Sequence, residues 1–310
     1  MPRLTLLLPA TSRFAGIALP ARLAKALGRA DRSQGAAGEP AQLARHFDVL
    51  PRGWPAAALT RLLDTGEDDA RLGAWLRVDP AHIRPDINGV RLLGIGRTVG
   101  LDQDDVEALL PALKPLFGDL GFQLDAPQPT RWYLRLAREA KLPLFASPDD
   151  ALGDDVFDHL PDGPEARRWR VLANEVQVVL HHHPHNAVRL ASGRVPINAL
   201  WFWGGGILPD AISSDAPRIF SDDPVVQGAA RLGKLQGMPL SAFQHDTEHD
   251  ALVDLRGQRD PRVLLEHWLS PTAGRARRQD VTFDFADGVA LRLNPGQRWR
   301  FWRRPLAELA

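Results

Sequence analysis

The 310-residue chain contains no cysteine, which removes disulfides, thiolate metal sites, iron–sulfur clusters and cysteine nucleophiles, and permits a reducing compartment without requiring one. Lysine is scarce. Lys25, Lys114, Lys141 and Lys234 are the whole supply, and GC-rich codons explain the arginine bias more simply than special guanidinium chemistry does. Net charge is also missing: 38 basic side chains meet 38 acidic ones, so no global field draws the chain to nucleic acid or anionic lipid. No stretch approaches the roughly 18 apolar residues of a bilayer span. The Leu4–Leu8 run, closed by Pro9, is too short for the core of a signal peptide and reads as a buried first strand. A cytoplasmic protein without membrane contacts is the expectation.

What is present is ordinary for a folded protein, with 44% hydrophobic and 25% charged residues in a length that allows one large or two ordinary domains. Ala21–Leu27 has a short helical pattern, and residues 31–40, rich in Gly, Ser, Gln and Pro, read as a flexible loop. Residues 72–78 and 90–95 read as strands. Asp102 caps a helix to Phe117 with Asp105 in its first turn, and strands follow at 122–124 and 132–136. Asp162 and Glu165 have capping-box spacing ahead of a stripe of Trp169, Leu172, Val176 and Leu180. Ile197–Trp203 is apolar throughout except for Asn198, as in a strand covered on both faces of a parallel sheet, and Gly204–Gly206 would form the loop at its end. Asp222 and Asp260 each precede a proline-started helix. Runs at 281–285, 289–293 and 298–304, separated by Asp-Gly and Pro-Gly, describe an antiparallel meander.

The class is therefore α/β: a mainly parallel central sheet flanked by helices, with an antiparallel C-terminal meander. Three parts are expected: residues 1–70 as the N-terminal part of the core, 71–136 as a strand-rich insertion, and 137–310 as the main core with the meander.

The polar residues cluster in one place. His181, His183, Asn186 and Arg189 precede Asn198 and the glycines 204–206, and three glycines let backbone N–H groups face an anion. The expected ligand-binding set is His181, His183, Asn186, Arg189, Asn198, Gly204, Gly205 and Gly206, for a small anion gripped by the planar fork of Arg189. The competing reading is a tight turn beneath packed tryptophans. His181 to His185 suit helix capping better than metal ligation. His245, Asp246, His249 and Asp250 are the weak metal candidates, since His245 and His249 stand four apart but the metalloprotease pattern requires Glu where Asp246 stands. Eight arginines between Arg275 and Arg304, with Trp299, Phe301 and Trp302, suggest a phosphate or single-strand platform, against the simpler reading of a charge-guarded edge strand. No Walker loop, dinucleotide fingerprint or nucleophile elbow occurs.

The run Glu175-x-Gln177, His181-x-His183-Pro184-x-Asn186, Arg189, Gly193, Pro196-x-Asn198-x-Leu200-Trp201-x-Trp203-Gly-Gly-Gly206 resembles the signature of proteobacterial regulatory proteins of the RpfE type. These are often also labelled cofactor-independent phosphoglycerate mutase-like. Asp79-Pro80-x-His82 and Phe301-Trp-Arg-Arg304 extend the resemblance. It implies a scaffold of the alkaline-phosphatase superfamily, whose enzymes place a metal-binding Asp at the end of the first strand and a Ser or Thr nucleophile soon after. Here Pro9-Ala10-Thr11-Ser12-Arg13 follows that strand, so Thr11 and Ser12 remain and the Asp is absent. The expectation is a phosphoglycerate-mutase-like regulatory or ligand-binding protein, a pseudoenzyme with a degenerate metal site and no resident cofactor. The alternatives are an active phosphomutase or phosphatase using Mn or Zn and, more remotely, nucleic-acid binding through the arginine-rich tail.

Overall fold

The computed structural model describes residues 1–87, 89–245 and 249–309. In chain order its strands are β1 (Arg3–Leu8), β2 (Asp31–Gln34), β3 (Asp48–Leu50), β4 (Ala74–Asp86), β5 (Gly89–Ile95), β6 (Gln123–Gln128) and β7 (Arg131–Leu136). They continue with β8 (Ala199–Ile207), β9 (Ala211–Ser213), β10 (Arg218–Phe220), β11 (Gln236–Met238), β12 (Ala251–Asp254), β13 (Asp280–Phe285) and β14 (Val289–Leu293). Contacts divide the chain into two units, residues 1–53 with 209–310, and residues 54–208. The breaks in packing thus fall at 53/54 and 208/209, because the 166–181 helix and β8 share a core with β4 and β7.

The first unit carries a seven-stranded sheet in the order β11-β10-β12-β1-β13-β14-β2. Its first five strands are mutually parallel, and β14 runs antiparallel to both β13 and β2. The chain is therefore α/β with a mainly parallel sheet and an antiparallel addition. Leu4, Leu6, Leu7 and Leu8 of β1 are each at most 1% exposed, which is why this strand reads as an apolar run interrupted only by Thr5: side chains on both faces are covered. Leu6, Val253, Phe283 and Phe285 belong to one apolar cluster. Helices Ala21–Gly28 and Ser270–Arg275 pack on each other.

Two expectations about this unit need correction. The third antiparallel strand is not 298–304, where Pro295–Trp299 makes a 3₁₀ turn instead. It is β2, inside the stretch read as a flexible loop. All four β2 residues are exposed, so the strand has no apolar side chain to declare it, and its backbone pairing with β14 holds it. The helix cap after β10 is Asp223, which accepts from the Val225 N–H, while Asp222 accepts from Leu240 N.

The second unit is built on an antiparallel sheet in which the 13-residue β4 pairs with β5, β7 and β8. Ile197–Trp203 therefore does not lie in the parallel sheet: it leads into β8, and Gly204–Gly206 sit within that strand. A Cβ on Gly204 would lie 2.7 Å from Ala56 Cβ, and one on Gly206 2.8 Å from Pro55 Cβ. These glycines answer the close approach of helix Ala56–Thr65, which packs on β8. Helices Gln103–Gly118 and Ala166–His181 pack on each other, and Trp169, Leu172, Val176 and Leu180 are buried as the stripe requires. Asp102 caps the first of them, accepting from Asp105 N at 3.0 Å while its own N–H donates to Asp105. The Asp162–Glu165 box does not form. Gly163 turns the chain at φ +95° and Glu165 makes no side-chain cap bond.

Candidate functional site

The central run is knit together by side chains that bond to the protein itself. His181 is exposed at the helix end, and His182 Nδ1 meets Val178 O at 2.9 Å, a capping arrangement. His183 Nδ1 accepts from His185 N, and burial together with neighbouring His185 pushes its imidazole below the usual range. Asn186 staples the helix end to the strand before β8, donating to Leu180 O and Ile197 O and accepting from Ile197 N, each at 2.8 Å. Asn198 does the same for β4: its amide exchanges bonds with Ile83 N and O at 2.9 and 2.8 Å, where the register slips between His82 and Ile83.

Arg189 is fully buried, and so is Asp105. Its guanidinium donates to Val195 O at 2.8 Å, to Val99 O at 2.6 Å and to the Asp105 carboxylate. The same carboxylate meets His185 Nε2 at 2.7 Å and Arg194 at 3.3 Å. Burial opposes the Asp105 charge, yet bonds from Arg189 and His185 hold its carboxyl below the ordinary range. The fork expected to grip an anion thus serves Asp105 and the carbonyls of Val99, Val195 and, at 3.5 Å, Gly100. Gly204–Gly206 have other neighbours, Ala56, Leu142 and Pro55. In the Asp79-Pro80-x-His82 stretch, Asp79 is buried against Arg77 at 2.7 Å and accepts from Trp203 Nε1 at 2.8 Å. His82 Nδ1 lies 3.0 Å from Pro196 O.

The metal candidates are dispersed. His245 Nδ1 lies 3.3 Å from Thr272 Oγ1, with its ring against Phe243 and Trp268. Asp250 accepts from Arg3 N at 2.7 Å, which places it at the amino edge of the sheet, opposite the edge where parallel α/β sheets form their sites. His249 is exposed, and Asp246 lies outside the described residues.

A second cluster, which the sequence reading missed, lies at the carboxyl edge of the parallel sheet. The chain leaves β10 for β11 on one side, and leaves β12 for β13 on the other, past β1. Right-handed crossovers in opposite directions put the connections on opposite faces, so a crevice opens beyond β10 and β12. Arg256 fills it. Its guanidinium donates to Asp254 at 2.8 and 2.9 Å, to Asp223 at 3.1 Å and to Glu39 at 2.9 Å. Burial disfavours the Arg256 charge, but Asp254, Glu39 and Asp223 raise the guanidinium well above its usual range. Ser221 Oγ donates to Asp254 at 2.8 Å. At the end of β13, Asp284 receives Arg45 at 2.6 and 3.0 Å and His46 Nε2 at 2.6 Å. Burial opposes the charge of Asp284, and His46 and Arg45 nevertheless hold its carboxyl low. Thr11, 8% exposed, donates its hydroxyl and its N–H to Asp287; Ser12 is exposed.

These residues do not fit a resident divalent ion as they stand. A divalent ion needs several oxygens not already committed to a cation. Both oxygens of Asp254 are engaged by Arg256 and Ser221, and both of Asp284 by Arg45 and His46, while Asp287 Oδ1, buried without a partner, is a single donor. The sequence signal for this cluster was faint, because Ala251–Asp254 is a four-residue strand, too short for periodicity to mark.

No family model matches the chain. A 62-residue stretch, 20% of the chain, is 44% identical to a probable 2,3-bisphosphoglycerate-independent phosphoglycerate mutase of Geobacter sulfurreducens. A 76-residue stretch is 33% identical to the 2,3-bisphosphoglycerate-independent phosphoglycerate mutase of Methanothrix thermoacetophila. The matched stretches span only 16% and 19% of those relatives' lengths. Among solved structures, the cofactor-independent phosphoglycerate mutase of Thermoplasma acidophilum superposes with a TM-score of 0.41 at 16% identity, covering 95% of this chain and 90% of that one. The PH0037 protein of Pyrococcus horikoshii gives 0.44 at 11% identity, covering 98% and 90%. Local similarity to phosphoglycerate mutases is what the comparisons establish. Among the described residues, no helix is long and apolar enough to cross a membrane.

Proposed function

We propose that this is a phosphoglycerate-mutase-like protein that works by binding, in a regulatory role, rather than by metal-dependent phosphoryl transfer. One observation carries the reading: Arg256 stands among Asp254, Asp223 and Glu39 at the switch-point crevice, so the carboxylates a divalent cation would draw on there are already paired with a guanidinium. A guanidinium matches the charge of those carboxylates but offers no coordination position, so it cannot generate a bound hydroxide or activate Thr11 as a Lewis acid would. The local similarity to phosphoglycerate mutases supports the scaffold side of the reading.

A second reading, a working Mn- or Zn-dependent phosphomutase, is favoured by the surplus of acid. Five carboxylates, Glu39, Asp223, Asp254, Asp284 and Asp287, face two guanidinium groups, Arg45 and Arg256, around this edge. Incubating the protein with 3-phosphoglycerate and manganese separates the two. No 2-phosphoglycerate is expected, and turnover at even about 1 per second, a modest enzyme rate, would overturn the binding-protein reading.

A further inference from the structure

The second unit contains a cavity of about 230 Å³ between the 166–181 helix and β8. One wall is aromatic: Trp169, Trp201 and Phe202 line it. Their rings are held before anything binds. Trp201 Nε1 donates to Ala146 O at 3.1 Å, and Trp169 stacks on Phe122 at 5.5 Å and meets Phe202 edge-on at 5.4 Å. A wall fixed by its own neighbours loses little freedom on binding.

The opposite side is polar. Arg170, Asn174 and Gln177 line the cavity at i, i+4 and i+7 of one helix, and so on one face. The side chains of Asn174 and Gln177 have no hydrogen-bond partner among the described residues. Arg170 has only Asp162 at 3.9 Å, whose side chain is 99% exposed, a solvent-screened contact that holds the guanidinium weakly. A positive fork and two amides therefore border an apolar slot.

We propose that this cavity is a binding site for a small amphipathic carboxylic acid with an aromatic or branched aliphatic body. The space equals roughly eight waters at about 30 Å³ each, which suits a ligand of about ten non-hydrogen atoms. Its body would lie on the tryptophan wall and its carboxylate in the Arg170 fork, with the amide N–H groups of Asn174 and Gln177 donating to it alongside. A phosphorylated three-carbon acid lacks the apolar body and would leave the aromatic wall unfilled. Gln177 and Trp201, both in the run that resembles a family signature, meet at this cavity. The assignment is independent of how the carboxylates around Arg256 are used.

The experiment is a calorimetric titration of the full chain with 3-phenylpropionate, the neutral 3-phenylpropionamide and 3-phosphoglycerate. Saturable binding of the acid is expected, about tenfold weaker for the amide and for Arg170→Gln. Ala173→Phe, a substitution at a half-buried lining residue, should abolish binding while circular dichroism shows the fold intact. Arg168→Gln, whose arginine lies instead over Phe122 at 4.6 Å, should bind as the unmodified protein does. No saturation with the acid to about 10 mM would overturn the proposal. So would unchanged binding in Ala173→Phe, equal affinity for acid and amide, or displacement of the acid by 3-phosphoglycerate.

Discussion

Replacing Arg189 by alanine tests whether the centre of the signature run is a fold device. Arg189 and Asp105 are both fully buried, and the guanidinium also satisfies Val99 O and Val195 O. Removing one partner of a buried pair typically costs about 3–5 kcal/mol, because the other charge stays in a poorly solvating interior. Asp105 is not left alone, since His185 at 2.7 Å, Arg194 at 3.3 Å and the Asp102 N–H at 3.1 Å remain. The expected loss is therefore near the lower end, about 3 kcal/mol, with the orphaned carbonyls opposing any further rescue. Urea unfolding followed by circular dichroism reads it directly. A double substitution of Arg189→Met with Asp105→Leu removes both charges and should recover part of the loss. An Arg189→Ala protein within about 1 kcal/mol of the original would refute the reasoning, since so small a loss does not fit a fully buried aspartate deprived of its buried guanidinium partner.

Other outcomes follow from the same geometry. Gly204→Ala combines φ +65° with a Cβ 2.7 Å from Ala56 Cβ, and should lower stability by about 1–3 kcal/mol in thermal melts; an unchanged melting temperature would show that helix Ala56–Thr65 is not so close. Asp105 and Asp284 have carboxyls held below the ordinary range, so their contribution is present above about pH 4 and is lost as pH falls through their lowered values. Burial lowers the His82 imidazole; its neutral form is favoured in the fold, so stability falls as pH drops below about 6.5, and a pH series on His82→Gln should lack that first slope. Elemental analysis of purified protein should find no stoichiometric manganese or zinc, and one or two tightly held ions per chain, on the order of micromolar affinity or better, would favour the catalytic reading.

Much of the architecture was legible because local physics wrote it plainly. Four buried leucines within five residues marked β1, and the Asp102–Asp105 spacing marked a helix start whose reciprocal bonds are present. The 3.6-residue stripe from Trp169 to Leu180 likewise became a buried helix face. Ile197–Trp203 was correctly read as apolar on both sides, but strand direction is not encoded in that pattern. Coverage by helices produces the same sequence in an antiparallel strand, and both the 56–65 and 166–181 helices touch β8.

The site was less legible, for one physical reason: sequence displays a charge but not the distant group that neutralises it. Arg189 read as a ligand grip because its partner Asp105 stands 84 positions earlier, at the start of another helix. Arg256 attracted no notice because Glu39, 217 positions away, and Asp223 complete its surroundings only after the parallel sheet has formed. Asn186 and Asn198 follow the same logic, each saturating backbone groups that a helix end or a slipped register leaves open. Folding alone thus accounts for the polar core of the signature run, from Asn186 through Arg189 to Asn198. Asn174 and Gln177 of the preceding helix, by contrast, line the cavity beside β8 without taking part in that network, which is why the proposed binding is placed there.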